Sequence, residues 1–257
     1  MPISNIDFGF VSIIMAAFNA EKTIDFAIES VLSQTYDQFE LIVINDCSQD
    51  NTLKIIESYS EKDKRIKIIN NVQNCGVSIS RLNGLKVAKG EWIAILDSDD
   101  LWTPEKLQKQ IDLQEKANAD IVFTGVSYID TKGNAFEWQL HVPEEIGYKR
   151  LLRQNLITNS SAMVRKELFE SHYAMGDDMH EDFALWLNIL KTGVIAYGID
   201  EPLTIYRVSA NSKSGNKLKS TLMNWKTYRY VNLDVFSSAY YMIWYTINGI
   251  KKYKNLK

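Results

Sequence analysis

Apolar positions along the first 125 residues follow two alternating rhythms. Residues 11–15, 40–44, 65–69 and 92–96 are short, largely apolar runs and predict buried strands. Between them apolar residues recur at helical spacing, as at Ile24, Ala27, Ile28, Val31 and Leu32 within 21–32, and helices are likewise predicted over 51–59 and 77–88. Ser48, Gln49 and Asp50 suit the N-terminus of the second helix, and Gly90 stops the third. Thr103-Pro104-Glu105 predicts a fourth helix with Pro at its first position. Strands separated by helices of this length imply βαβ crossovers and an α/β fold: a mainly parallel, Rossmann-like sheet with helices on both faces.

Past residue 120 the rhythm changes. Residues 120–128 predict a strand, 130–134 a hairpin turn and 135–140 the returning strand. A short strand over 161–164, an amphipathic helix over 181–190 and one or two strands over 194–206 follow. From Lys217 onward the pattern is helical and rich in aromatics. No repeat or low-complexity linker interrupts the chain.

Composition adds limits. With 46% hydrophobic and 24% charged residues, the 257-residue chain is ordinary for a globular protein. Its N-terminus, MPISNIDFGF, lacks the basic and apolar segments of a secretory signal. The longest nearly uncharged apolar-aromatic run, 235–247, is shorter than the ~18–20 residues that span a bilayer. Cys47 and Cys75 lack metal-ligand spacing and are expected as free thiols in a reducing compartment. Together these features predict a cytoplasmic protein. The net charge of −3 hides an asymmetry, because residues 205–257 hold ten Lys/Arg and one acid. A basic end on an acidic body favours contact with anions; no nucleic-acid partner is expected.

In open α/β sheets, ligands bind beyond the carboxyl ends of the strands. Three predicted strand ends carry polar clusters: Asn19 and Glu21, then Asp46, then LDSDDLW at 96–102. In an extended segment Asp97 and Asp99 share a face and Ser98 opposes them. Two such carboxylates suit Mg²⁺ or Mn²⁺, which favour oxygen ligands and substrate phosphates. The alternative is an acidic turn leading into the next helix. Arg81 is a candidate for a bidentate diphosphate contact or a surface salt bridge. Asp46 is a candidate acceptor for a base N–H or an N-cap.

Four segments in order, SIIMAAFNAEKTIDFAIESVLSQTY, ELIVINDCSQDNT, RLNGLKVAKGEWIAILDSDDLW and HEDFALWLNILKTG, resemble the inverting family 2 glycosyltransferases of the GT-A fold, of the bacterial surface-polysaccharide type. The likeness runs from about Val11 to Arg207. It implies a GT-A domain over 1–210, with a nucleotide-binding half at about 10–103 and an acceptor half at about 104–210. Residues 211–257 then form a lid segment and C-terminal aromatic and basic helices.

The resemblance also implies a UDP-sugar donor, a divalent metal (Mn²⁺ or Mg²⁺) and a saccharide acceptor of the lipid-linked kind. Ala17, Phe18, Asn19 and Glu21 stand in the first nucleotide loop, where Phe18 replaces a frequent Tyr. Asp46 resembles the acid that reads uracil, and Arg81 the base near the ribose or diphosphate. Asp97 and Asp99 resemble the DxD pair, with Asp99 the direct metal ligand, Asp97 nearer the ribose, and Ser98 contributing backbone. Asp100 is left to serve the turn and the following helix.

Asp182 resembles the catalytic base, and Glu181 an acceptor contact or orienting partner. Both acids also suit a helix N-terminus. Trp186, one turn on, is a candidate for the acceptor pocket or the core. Many relatives carry Tyr-Arg-x-His after the last strand. Here Tyr206-Arg207-Val208-Ser209 lacks the His, which leaves Tyr206 and Arg207 as candidates for a closing loop, with 209–215 as a lid. Processive synthases carry Gln-x-x-Arg-Trp and transmembrane helices; their absence here implies transfer of one sugar.

Phe236, Tyr240, Ile243, Ile247 and Ile250 fall on one helical stripe, with Tyr241 and Trp244 beside it and lysines following. Such a stripe suits peripheral contact with the inner face of the cell membrane, or packing against the body or a second subunit. Two other readings of the chain stand beside glycosyl transfer. A non-catalytic sugar-nucleotide-binding assembly protein would keep the sheet-edge site but need no base. A sugar-phosphate nucleotidyltransferase would open with a Gly-rich loop, and 16–20 has no glycine.

Overall fold

The computed structural model describes residues 9–176, 178–208 and 217–255, with side chains in the stretches 217–218 and 250–255 left out of the description. Strands β1 (Val11–Ala17), β2 (Phe39–Asn45), β3 (Ile66–Asn70) and β4 (Trp92–Ile95) pair in parallel, in the order β3-β2-β1-β4. Helices α1 (Ile24–Leu32), α2 (Thr52–Ser60) and α3 (Val77–Val87) are the crossovers. Each central strand is buried on both faces, which is why 11–15 and 40–44 read as continuous apolar runs. Alternate residues divide between two cores: Val11, Ile13 and Met15 face one, and Ile14 the other.

Beyond β4 comes β5 (Leu101–Trp102), then α4 (Lys106–Ala117), β6 (Ile121–Ile129), β7 (Ala135–Leu140), β8 (Glu145–Ile146) and α5 (Tyr148–Leu151). A 3₁₀ turn (Asn159–Ser161) precedes β9 (Met163–Arg165), α6 (Lys166–His172), α7 (Glu181–Lys191), β10 (Ala196–Arg207), α8 (Lys217–Tyr230) and α9 (Val235–Asn255). The sheet continues β4-β9-β6-β10-β5, with β7 beside β6 and β8 beside β10. β9 runs antiparallel to both β4 and β6, so β4 and β6 point the same way, and β10 is parallel to β6. The carboxyl ends of β1, β2, β4, β6 and β10 therefore share one edge.

Several sequence expectations shift in detail. The fourth helix begins at Lys106, because Thr103 to Glu105 form a turn closed by the Lys106 N–H on the Thr103 carbonyl. The 161–164 strand starts two residues later, after the 3₁₀ turn. The 194–206 segment is a single 12-residue strand with a register shift between Ile199 and Thr204, at Glu201-Pro202. Tyr206 and Arg207 end that strand, paired with Tyr128 and Ile129, rather than lying in a loop. Trp186 is a core residue and not an acceptor-pocket wall: α7 is buried nearly all round and leaves its indole no solvent exposure.

One glycine sets the depth of Arg81. A Cβ at Gly84 would come within 2.8 Å of Ile44 and 2.9 Å of Ile14. Its absence lets α3 lie close on β1 and β2. Arg81, three residues earlier on the same face, is thereby carried down to the sheet edge.

Candidate active site

The shared strand edge collects most of the polar residues singled out above. Asp46 leaves β2 and is 3% exposed. Its carboxylate accepts hydrogen bonds from Asn71 Nδ2 (2.7 Å), Cys75 N (2.8 Å) and Gly76 N (2.9 Å). It thus pins the segment that opens α3, rather than capping α2. Ala17 is buried, its methyl in the core and its carbonyl taking the Asp46 N–H at 2.8 Å; it positions the loop without facing the cleft. Phe18, by contrast, is 50% exposed at the rim. Asn19 adopts a positive φ of 49° and bridges to the next loop, accepting from Gln49 N at 2.8 Å. Glu21 accepts from both Asn51 N (3.1 Å) and Asn51 Nδ2 (3.0 Å), tying the loop after β1 to the start of α2.

After β4 the three acids part company. Arg81 Nη2 donates to Asp97 Oδ1 at 2.5 Å, while Arg81 Nη1 donates to Glu181 Oε1 at 3.0 Å. Arg81 is 5% exposed, so this guanidinium is a buried brace between the strand end and the start of α7. Its Nε has no partner among the described residues. Ser98 is half-buried between Asp97 and Asp99. Asp99 has no side-chain partner among the described residues. Burial, then repulsion from Asp97, pushes its carboxyl up to about 6.

Asp100 is buried; its N–H closes the turn on the Asp97 carbonyl at 3.0 Å, as expected, but its side chain serves neither the turn nor α4. Its carboxylate accepts from Ser160 Oγ (2.6 Å) and Arg207 N (2.9 Å), joining the 3₁₀ turn to β10. Burial, with Asp99 and Asp97 nearby, raises its carboxyl well above the usual range. Ser160, which sequence reasoning missed, also accepts the Asp97 N–H at 3.2 Å and, through its carbonyl, the Trp102 Nε1–H at 2.7 Å. The signal available for it was the polar triplet Asn159-Ser160-Ser161 beside an apolar strand. The Arg207 guanidinium grips the carbonyls of Asp99 (3.0 Å) and Asp130 (3.3 Å). Tyr206 meets Tyr128 edge-on with ring centroids 5.8 Å apart. The proposed lid, 209–215, lies outside the described residues.

Asp182 opens α7 beside Glu181 and is partly exposed. Burial, then the neighbouring Glu181 charge, raises its carboxyl above the ordinary aspartate range. No side chain among the described residues hydrogen-bonds to it. His180 caps the helix in extended conformation and contacts Ser220 Oγ at 3.2 Å through Nε2. No group of three or more His, Cys, Asp or Glu among the described residues is placed to hold a metal alone. The arrangement offers a two-carboxylate oxygen site at one end of the Arg81 brace and a carboxylate of raised basicity at the other.

Comparison with known proteins gives the family and the fold. The family model for glycosyl transferase family 2 matches residues 12–172. The chain is 36% identical over 253 residues to the UDP-Glc:alpha-D-GlcNAc-diphosphoundecaprenol beta-1,3-glucosyltransferase WfgD of Escherichia coli, covering 96% of this chain and 98% of that one. Among solved structures it resembles S. aureus TarS in complex with UDP-GlcNAc (TM-score 0.72, 19% identity, 90% of this chain and 70% of that one). It also resembles the mannosyltransferase PcManGT of Pyrobaculum calidifontis in complex with GDP-Man and Mn²⁺ (TM-score 0.67, 16% identity, 88% and 64%). These two likenesses show the GT-A fold. With the family model spanning most of the chain and a relative matched nearly end to end, the chain belongs to glycosyl transferase family 2.

Proposed function

We propose that this glycosyltransferase moves one sugar from a UDP-sugar to a lipid-linked saccharide acceptor in polysaccharide biosynthesis, with inversion at the anomeric carbon and with a divalent cation. The observation that carries the reading is the convergence of Asp97 and Asp99 with Asp182 through the Arg81–Glu181 brace. The names of the relatives support the substrate classes. WfgD is named for a UDP-glucose donor and a diphosphoundecaprenol-linked acceptor, TarS was solved with UDP-GlcNAc, and PcManGT with Mn²⁺.

The donor set fits a hard cation. Asp99 brings a carboxylate without a side-chain partner among the described residues, crowded by the Asp97 charge. Mn²⁺ or Mg²⁺ would be held by Asp99 and, more loosely, Asp97, with diphosphate oxygens completing the shell. Bound there, the cation would offset charge on the departing diphosphate.

The rest falls to the chain. Asp182 takes the proton of the acceptor hydroxyl as that oxygen bonds to the anomeric carbon and the diphosphate oxygen leaves with the bonding pair. A raised carboxyl suits this work, because its basicity lies closer to neutral pH. Glu181 keeps Arg81 in place, and Arg81 keeps Asp97 turned to the donor side. A carboxylate has about four acceptor directions, so Asp46, with three taken, retains one for a base N–H. Phe18 offers its exposed ring for stacking on the base.

A thermal-shift panel of nucleotide sugars with Mn²⁺ tests the donor. UDP-sugars should raise the melting temperature in the presence of the metal and not after chelation. A panel in which no UDP-sugar shifts the transition would reject the proposal.

A further inference from the structure

We propose that α9, with the basic residues of the α5 segment beside it, is a docking surface for an anionic lipid membrane. Exposure and charge mark this surface, independently of the base and the metal ligands.

The helix has two apolar faces. The inner one holds Ser238, Tyr241 and Tyr245. The Tyr245 ring lies 5.8 Å from Phe183, and the Tyr241 ring 6.4 Å from Tyr228. This face meets the need to pack against the body. The outer face carries Phe236, Tyr240, Ile243, Trp244 and Ile247, all exposed, with Phe236 at 87% and Ile243 at 62%. A contiguous row of large apolar side chains in water marks an interaction surface. The side chain of Ile250, on the same stripe, lies outside the described residues. At 21 residues the helix is long, yet no helix among the described residues is long and apolar enough to cross a bilayer. An apolar stripe flanked by bases instead lies in the plane of the interface.

Charge selects the partner. The Arg153 guanidinium sits 5.7 Å from the centre of the Trp244 ring, and Asn248 Nδ2 donates to the Arg153 carbonyl at 3.2 Å. Lys149, Arg150 and Arg153 are exposed, and residues 147–164 contain no acid. In sequence, Lys251, Lys252 and Lys254 end the helix, and no acid follows Asp234. Anionic headgroups would attract this set. A second copy docked by two-fold symmetry about the middle of the stripe would instead bring Arg153, beside Trp244, against its own copy. The site gains from the arrangement, since Phe183, which supports Tyr245, directly follows Asp182.

Co-sedimentation of the full chain with vesicles decides the matter. The protein should pellet with vesicles of phosphatidylcholine and phosphatidylglycerol, pellet weakly with phosphatidylcholine alone, and lose binding in high salt. Phe236→Ser combined with Ile243→Ser should lower partitioning by more than about tenfold. Its thermal unfolding should be unchanged, because both side chains are exposed. Arg150→Gln with Arg153→Gln should weaken binding to the anionic vesicles only. Wild-type protein that stays in the supernatant, or a Phe236/Ile243 variant that binds as well as wild type, would overturn the proposal. So would a dimer by light scattering that the same variant separates, with no vesicle binding; the surface would then belong to a second copy.

Discussion

Asp46 and Asp100 differ from Asp99 and Asp182 in one respect: what their oxygens already hold. The first two accept hydrogen bonds from elements far along the chain and close the site's walls. The second two stand at the same edge with no side-chain partner among the described residues, in surroundings that disfavour their charge. All four are aspartates near a strand or helix terminus, and composition cannot separate them. A carboxylate with most of its hydrogen bonds filled builds a loop and keeps at most one direction for a ligand, whereas one left short is available to a cation or a proton.

The contrast can be broken by mutation, beginning with the strongest effect. Asp182→Asn should lower transfer by about 10²–10⁴-fold, the usual worth of a general base. UDP binding by calorimetry should persist, and normal turnover in this variant would remove Asp182 from its role. Arg81→Ala strips a buried charge from between two acids and should cost about 3–5 kcal/mol by denaturant unfolding; a loss below 1 kcal/mol by the same measure, about the worth of an exposed pair, would mean the brace is solvent-screened. Asp46→Ala leaves the N–H groups of Cys75 and Gly76 without their acceptor and should cost about 1–3 kcal/mol. Asp99→Ala should cost no stability and instead weaken metal-dependent UDP binding. If those two variants exchanged phenotypes, the distinction between wall and ligand would be reversed.

Acidity supplies the smallest effect. A carboxyl held up to about 6 stabilises the ligand-free fold fully only below its unfolded value near 3.9 and loses that contribution as pH rises through about 6. Stability of the ligand-free protein should therefore decline over that window, and Asp99→Asn should flatten the decline. Metal-dependent UDP affinity should run the other way, falling about tenfold per unit below pH 6 and levelling above it, because protons compete for the same oxygen.

Much of the frame was legible before any coordinates. Apolar runs and helical spacing located β1 to β4 and α1 to α3 because a doubly covered parallel sheet leaves that imprint. Two-residue β5 and four-residue α5 are too short for a period to register. The site was legible as a set of residue types. Its wiring was not, since the Arg81–Glu181 bond spans 100 positions and Ser160–Asp100 spans 60. Trp186 illustrates the limit: its spacing places it one helical turn from Asp182, but spacing alone does not say that α7 is enclosed.

The Arg81 brace has a consequence for how such sequences change over generations. One guanidinium serves two acids from different stretches of chain, and Gly84 fixes how deep it sits. No single replacement among Asp97, Arg81, Glu181 and Gly84 is neutral by itself, whereas matched replacements can be. In an alignment of relatives, these four positions should co-vary as a block, more tightly than any of them varies with Asp46, which answers to a different set of partners.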